Sequence, residues 1–261
     1  MQYEDIRVDR DGHIVWITID RPRVLNAFRT QTLEELAHAF DQAGADGVCG
    51  VIILTGAGDK AFCTGGDIGS MSSLTPANGR TFLRACRRLS QAMRDCPQPV
   101  IAMVNGYAMG GGNELHLFCD LTIASEKAVF GQTGPTVGSV PVWGGTQLLP
   151  RIIGEKRARE MVYLCPRIDA RKALEWGLCN KVVPHEKLRE ETRSICMDIL
   201  AKSPQSLRIA KMSFNHGIAE MDSSFEHGGE LLAVCYGGEE LGEGMKAFLE
   251  KRKPDFNQFR K

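Results

Sequence analysis

Apolar and polar positions alternate along His13-Ile14-Val15-Trp16-Ile17-Thr18-Ile19-Asp20, a strand pattern that stops at Arg21-Pro22. Leu33, Leu36, Ala37 and Phe40 then share one face of an amphipathic helix running from Thr32 to Ala43. Val51-Ile52-Ile53-Leu54-Thr55 is a short apolar strand ended by Gly56-Ala57-Gly58. A second helix over 79–95, a strand over Val100 to Val104, a helical pattern over Leu115 to Cys119 and a strand-like stretch over Leu121 to Ala124 follow. Strand and helix thus alternate with short connections, which predicts an α/β fold. Beyond about residue 155 the pattern is mostly helical, over 155–164, 169–176, 185–202, 204–216, 223–235 and 239–251. The expected division is an α/β core over 1–200 and a helical oligomerisation region over 201–261.

Composition narrows the chemistry. At 261 residues the chain can bury a substantial core without disulfides. Its 32 lysines and arginines balance 32 aspartates and glutamates, so no global field favours nucleic acid or an anionic membrane. The nine cysteines are scattered, with no CxxC pair and no metal-ligand cluster. With no signal-peptide pattern and no apolar run of membrane-spanning length, the expectation is a reduced, cytoplasmic protein without a metal.

The most informative run is Gly106-Tyr107-Ala108-Met109-Gly110-Gly111-Gly112-Asn113-Glu114, between the strand at 100–104 and the helical pattern that follows. Glycines let backbone approach a ligand closely, and free N–H groups at a helix start suit a developing negative oxygen. Glu114 falls in the first helical turn, within reach of that spot. A packing turn with a helix-capping glutamate would produce the same run. A second glycine turn, Phe62-Cys63-Thr64-Gly65-Gly66-Asp67, follows the strand at 51–55. Two such turns can aim two N–H groups at one oxygen only if their strands are neighbours.

The pair AFCTGGD and GYAMGGGNE, followed by CDLTIASEKAVFGQ, resembles the crotonase (enoyl-CoA hydratase/isomerase) superfamily, and the resemblance runs from Val15 to the tail at 251–256. It implies a spiral of ββα units, a helical trimerisation region, CoA thioester substrates and a homotrimer or dimer of trimers. It also implies that the N–H groups of Gly66 and Gly111 form an oxyanion hole for a thioester enolate. Coenzyme A would enter as part of the substrate, with no separate cofactor. Arg23, Lys60, Lys251 and Lys253 are candidates for its phosphates. Thr64, Asp67, Gln132, Thr133, Gly134 and Trp143 are candidates for contact with the substrate.

Hydratases of this superfamily hold one water with two glutamates. Glu114 matches the first, and Gly134 stands where the second is usual. The stretch GQTGPTVGSV resembles a narrower branch, the dihydroxynaphthoyl-CoA synthases and 2-ketocyclohexanecarboxyl-CoA hydrolases. NAFR at 26–29, RIAKMSFN at 208–215 and the tail EGMKAFLEKRKPDF carry the same likeness. There Tyr236 matches a tyrosine that can donate to an enolate or ketone oxygen, often across a subunit interface. In some synthases Gln-Thr-Gly also shapes a bicarbonate site. Pro141 replaces the aspartate of that branch, and proline can be neither acid nor base.

The sequence therefore combines a ring-enzyme background with half of a hydratase site. Its leading reading is hydration of an α,β-unsaturated, bulky cyclic or aromatic acyl-CoA, of phenylitaconyl-CoA type, in anaerobic aromatic breakdown. The loss of the second carboxylate would leave room for the bulky group. The alternative is carbon–carbon hydrolysis or ring closure on a cyclic β-keto acyl-CoA. A non-catalytic or RNA-binding role runs against the neutral charge and the intact glycine turns.

Overall fold

The computed structural model describes residues 2–260. In chain order its elements are β1 (Ile6–Asp11), β2 (Ile14–Ile19), α1 (Thr30–Ala45), β3 (Val51–Gly56), β4 (Ala61–Cys63), α2 (Ile68–Met71) and α3 (Pro76–Asp95). Next come β5 (Val100–Val104), β6 (Tyr107–Met109), α4 (Gly111–His116), β7 (Leu121–Ser125), β8 (Val129–Gly131), α5 (Leu149–Ile153), α6 (Glu155–Leu164) and β9 (Ile168–Asp169). The chain ends with α7 (Ala170–Glu175), β10 (Lys181–Val183), α8 (Leu188–Leu200), α9 (Pro204–Ala219), α10 (Asp222–Cys235) and α11 (Glu239–Leu249). None of these helices is long and apolar enough to cross a membrane.

Two sheets result, ordered β1-β2-β3-β5-β7-β10 and β4-β6-β8-β9. Three successive turns of chain place a first strand in the large sheet and a second in the small one: β3 then β4, β5 then β6, β7 then β8. Within each sheet these strands pair in parallel. Each turn of the spiral therefore repeats the same path, and the ends of β4 and β6 come to lie side by side.

The middle strands of the large sheet are buried on both faces, which matches the continuous apolar runs of β3 and β5. Ile52 and Leu54 join a core with Leu36 and Phe40 of α1 and Leu89 and Met93 of α3. Val51 and Ile53 point the other way, into a cluster with Trp16, Leu188 and Cys196. The period-2 alternation of a strand divides one apolar run between two cores.

The long elements lie where the periodicity places them, but the small sheet is a correction. The strands β4, β6 and β8 have only three residues each, too few to show a pattern. The glycine turns follow β4 and β6, not the long strands at 51–55 and 100–104. The helix expected over Leu115 to Cys119 instead starts at Gly111 and ends at His116. The strand β1 was also illegible, because only Ile6 of its six residues is buried. The polar stretch 69–80 holds α2 and, from Pro76, the start of α3, whose N-terminus Thr75 caps reciprocally with Asn78.

Candidate active site

Two glycine turns meet at the edge of the small sheet. Gly65 has φ +86° and Gly110 has φ +54°, left-handed conformations that a side chain would strain. Each of them immediately precedes a residue expected in the oxyanion hole. A Cβ on Gly65 would lie 2.8 Å from the Gly111 nitrogen, so the turns touch through bare backbone. Among the described residues, neither the Gly66 nor the Gly111 N–H has a protein acceptor. The parallel pairing of β4 with β6 supplies the adjacency that two converging donors require.

The first turn is held from outside. The Phe28 N–H donates to Gly65 O at 2.8 Å, and the Asp67 N–H donates to Phe28 O at 2.8 Å. The Asn26 amide donates to the carbonyls of Ala57 and Ala61, at 3.0 and 2.8 Å. The Asn105 amide donates to Gly56 O at 3.0 Å and to Gly58 O at 2.6 Å. Two buried asparagines thus fix the loop that delivers Gly66, a positioning role that spacing alone does not reveal.

Both open N–H groups belong to residues lining an inner cavity of about 70 Å³, together with Glu114, Trp143, Tyr236 and Cys86. Gly66 also borders an outer cleft of about 640 Å³, so it stands between the two spaces. Glu114 is 5% exposed. Its Oε1 accepts N–H donors from Trp143 at 2.8 Å and Gly145 at 3.0 Å. Its other oxygen has no protein partner among the described residues, and no cation pairs with the carboxylate. Burial pushes its pKa up to about 7, against the pull of those two N–H donors. A carboxyl group poised near neutrality can take a proton in one step and return it in the next.

Tyr236 is 1% exposed, and its hydroxyl has no partner. Burial drives its pKa upward, so the phenol stays protonated and available as a donor. This tyrosine reaches the cavity of its own chain. Burial also raises the Cys86 thiol well above its ordinary value, and it holds the neighbouring His116 down at about 3, neutral at physiological pH. Glu114 is therefore the cavity group that changes charge near neutrality.

The other candidates separate. Asp67 caps α2, accepting from the Gly69 and Ser70 N–H groups, and it pairs with Arg21 at 3.0 Å. Thr64 borders the outer cleft while its hydroxyl donates to Leu25 O at 3.2 Å. Thr133 lines the outer cleft, and Gln132 is fully buried with both ends of its amide unpaired. Gly134 borders neither space, and a Cβ there would meet Ser139 O at 3.1 Å. The expected room at Gly134 is thus filled by the Ser139 backbone. None of Gln132, Thr133 and Gly134 lines the inner cavity with Glu114.

Arg23, Lys60, Lys251 and Lys253 are exposed, and none borders the outer cleft. Arg167 does, without an ion-pair partner among the described residues, and nothing in the local pattern singles it out.

Known proteins resemble this chain along nearly its whole length. The family model described as enoyl-CoA hydratase/isomerase matches residues 9–260. A solved enoyl-CoA hydratase from Bacillus anthracis is 38% identical, with 96% of this chain and 98% of that chain covered at a TM-score of 0.80. An enoyl-CoA hydratase from Mycobacterium avium subsp. paratuberculosis K-10 is 27% identical, covering 98% and 99% at a TM-score of 0.90. DspI from Pseudomonas aeruginosa is 31% identical, covering 98% of each chain at a TM-score of 0.80. A family model that spans nearly the whole chain, with a solved hydratase 38% identical, shows that this chain belongs to the enoyl-CoA hydratase/isomerase family.

Proposed function

We propose that the protein hydrates an α,β-unsaturated acyl-CoA through a thioester enolate. The observation that carries this reading is one narrow cavity holding two unengaged backbone N–H groups and a carboxyl group poised near pH 7. The thioester oxygen takes the N–H groups of Gly66 and Gly111. Glu114 removes a proton from water, the water oxygen bonds to the β-carbon, and the π electrons shift to the thioester oxygen as an enolate. The enolate re-forms the carbonyl as its α-carbon takes a proton from the Glu114 carboxyl. Charge that develops on the oxygen is met by fixed dipoles already in place.

Gly134 leaves Glu114 without a carboxylate partner. Tyr236 takes that place in this mechanism, its protonated hydroxyl orienting the attacking water in the same cavity. One group relaying both protons delivers hydrogen and hydroxyl to the same face. Hydration in deuterated water, read by NMR, should therefore give syn addition. Anti addition, or absence of hydration across a panel of enoyl-CoA esters, would overturn the mechanism.

The acyl group in this reading is bulky and cyclic or aromatic, of phenylitaconyl-CoA type, as in anaerobic aromatic breakdown. Its bulk exceeds what the inner cavity of about 70 Å³ can hold beside one water, which needs roughly 10–15 Å³. The outer cleft receives the coenzyme A portion, with Arg167 toward its phosphates and Arg23, Lys60, Lys251 and Lys253 as further exposed cations for them. The exposed Met212 and Phe214 of α9 and Val234 of α10 suit burial in a homotrimer or dimer of trimers. The setting proposed is cytoplasmic. Tyr236 also supports a second reading, carbon–carbon cleavage or closure on a cyclic β-keto acyl-CoA. Turnover of such an ester that depends on Tyr236 would favour it.

A further inference from the structure

Behind Trp143 lies a second chamber of about 350 Å³, walled by α3, α10 and the Val142-Trp143 pair. Leu83, Cys86 and Trp143 line both this chamber and the inner cavity, so these three side chains form the partition between them. The indole sits edge-on to Phe28 at 5.7 Å and tilted against Phe118 at 5.5 Å. Its buried Nε1–H has no acceptor. Packing alone holds it, and an unpaired buried donor is a standing cost that movement would relieve.

The chamber is apolar beside the indole and charged toward α10. Arg80 pairs with Glu230 at 2.9 Å, Arg94 with Asp222 at 2.9 Å, and Arg87 with Glu226. Arg84 also lines the chamber, but it bonds only the Thr81 hydroxyl, at 2.9 Å. Four guanidiniums face three carboxylates, which leaves Arg84 as surplus positive charge.

We propose that Trp143 is a gate between two parts of one acyl site, and that the chamber behind it takes the distal end of an acyl group ending in a carboxylate, with Arg84 as counter-ion. This rests on the acyl thioester reading above. A guanidinium facing a carboxylate can bind through two parallel N–H donors, which a neutral chain end cannot match.

Gly229 of α10 allows a test away from the chemistry. It borders the chamber, and a Cβ there would meet nothing within 4 Å, so Gly229→Leu can add bulk to the chamber wall with no backbone clash at its Cβ. Calorimetric titration with saturated butyryl-CoA, octanoyl-CoA and suberyl-CoA reads binding without turnover. Wild-type protein should bind suberyl-CoA more tightly than octanoyl-CoA. Gly229→Leu should weaken both long esters and leave butyryl-CoA unchanged. Arg84→Gln should weaken suberyl-CoA roughly tenfold and spare octanoyl-CoA, the loss expected for one charged hydrogen-bonding partner. Arg84→Lys should recover part of it.

Unchanged binding of the long esters in Gly229→Leu, an equal loss of all three esters, or unchanged suberyl-CoA binding in Arg84→Gln would overturn the proposal. If only the short ester binds the wild-type protein, the chamber assignment alone fails. If none of the three binds, the thioester reading fails and takes the chamber with it.

Discussion

Asp67 and Glu114 occupy comparable places and do different things. Each follows a glycine turn, and each turn follows a three-residue strand of the same small sheet. Asp67 is fully engaged, one oxygen on backbone N–H groups of α2 and the other on Arg21. Glu114 has two N–H donors on a single oxygen, no cation among the described residues, and a free oxygen beside the inner cavity. The first acid closes a turn and the second is left reactive. The partners each acid finds, more than the motif it ends, decide which role it takes.

The widest separation should appear in turnover. Glu114→Gln should lower hydration by about 10²–10⁴-fold, the range for losing a general acid–base group. Asp67→Ala should change turnover far less and instead lower stability by roughly 1–2 kcal/mol through the lost cap. Steady-state kinetics beside denaturant unfolding reads both. Comparable losses of turnover in the two variants would break the contrast.

Next comes pH. The hydration kcat/KM should fall as pH drops through about 7, because Glu114 must be ionised to take a proton from water. Its folded pKa lies above the ordinary 4.5 of a glutamate, so the folded state holds the proton more tightly. That contribution to stability is full below pH 4.5 and is lost as pH rises through about 7. Glu114→Gln does not titrate. It should therefore gain on wild type as pH rises across this window, by on the order of 3 kcal/mol. Thermal melts of both proteins at pH 5 and pH 8 measure the gap, since these values lie on either side of the folded midpoint near 7.

The two turns should also differ in tolerance. A Cβ on Gly111 would strike the Phe28 ring at 2.6 Å, and that ring is wedged against Phe82 and Trp143. A Cβ on Gly66 would meet the Met71 sulfur at 2.1 Å, the far end of a flexible side chain that can swing away. Gly111→Ala should cost up to about 10²-fold in kcat, approaching the loss of one oxyanion donor, and Gly66→Ala clearly less. The reverse order would show that the second turn is the adaptable one.

The smallest effect concerns Tyr236. Removing a buried hydroxyl with no partner should raise stability by about 1 kcal/mol, since its desolvation goes uncompensated. If that hydroxyl orients water opposite Glu114, Tyr236→Phe should nevertheless slow hydration about tenfold, at the low end of an acid–base contribution. A stabilised variant with full activity would reduce Tyr236 to a core residue and leave Glu114 to hold the water alone.

Long elements were legible in the sequence because apolar periodicity accumulates over many residues. The helix at Thr30–Ala45 and the strands at Val51–Gly56 and Val100–Val104 show this. The two glycine turns and Glu114 were legible as residue types at suggestive spacings. Their convergence was not, because it depends on three-residue strands with no local signature. Residue types alone supply the available groups: bare backbone N–H donors, the carboxyl groups of Asp67 and Glu114, a phenol and an indole. Only the tertiary structure decided that Glu114 is buried beside Trp143 and Gly145, 29 and 31 residues away, while Asp67 meets Arg21, 46 residues away. Burial and partners set a carboxyl group's pKa and reach, and both come from segments that are distant along the chain and adjacent only after folding.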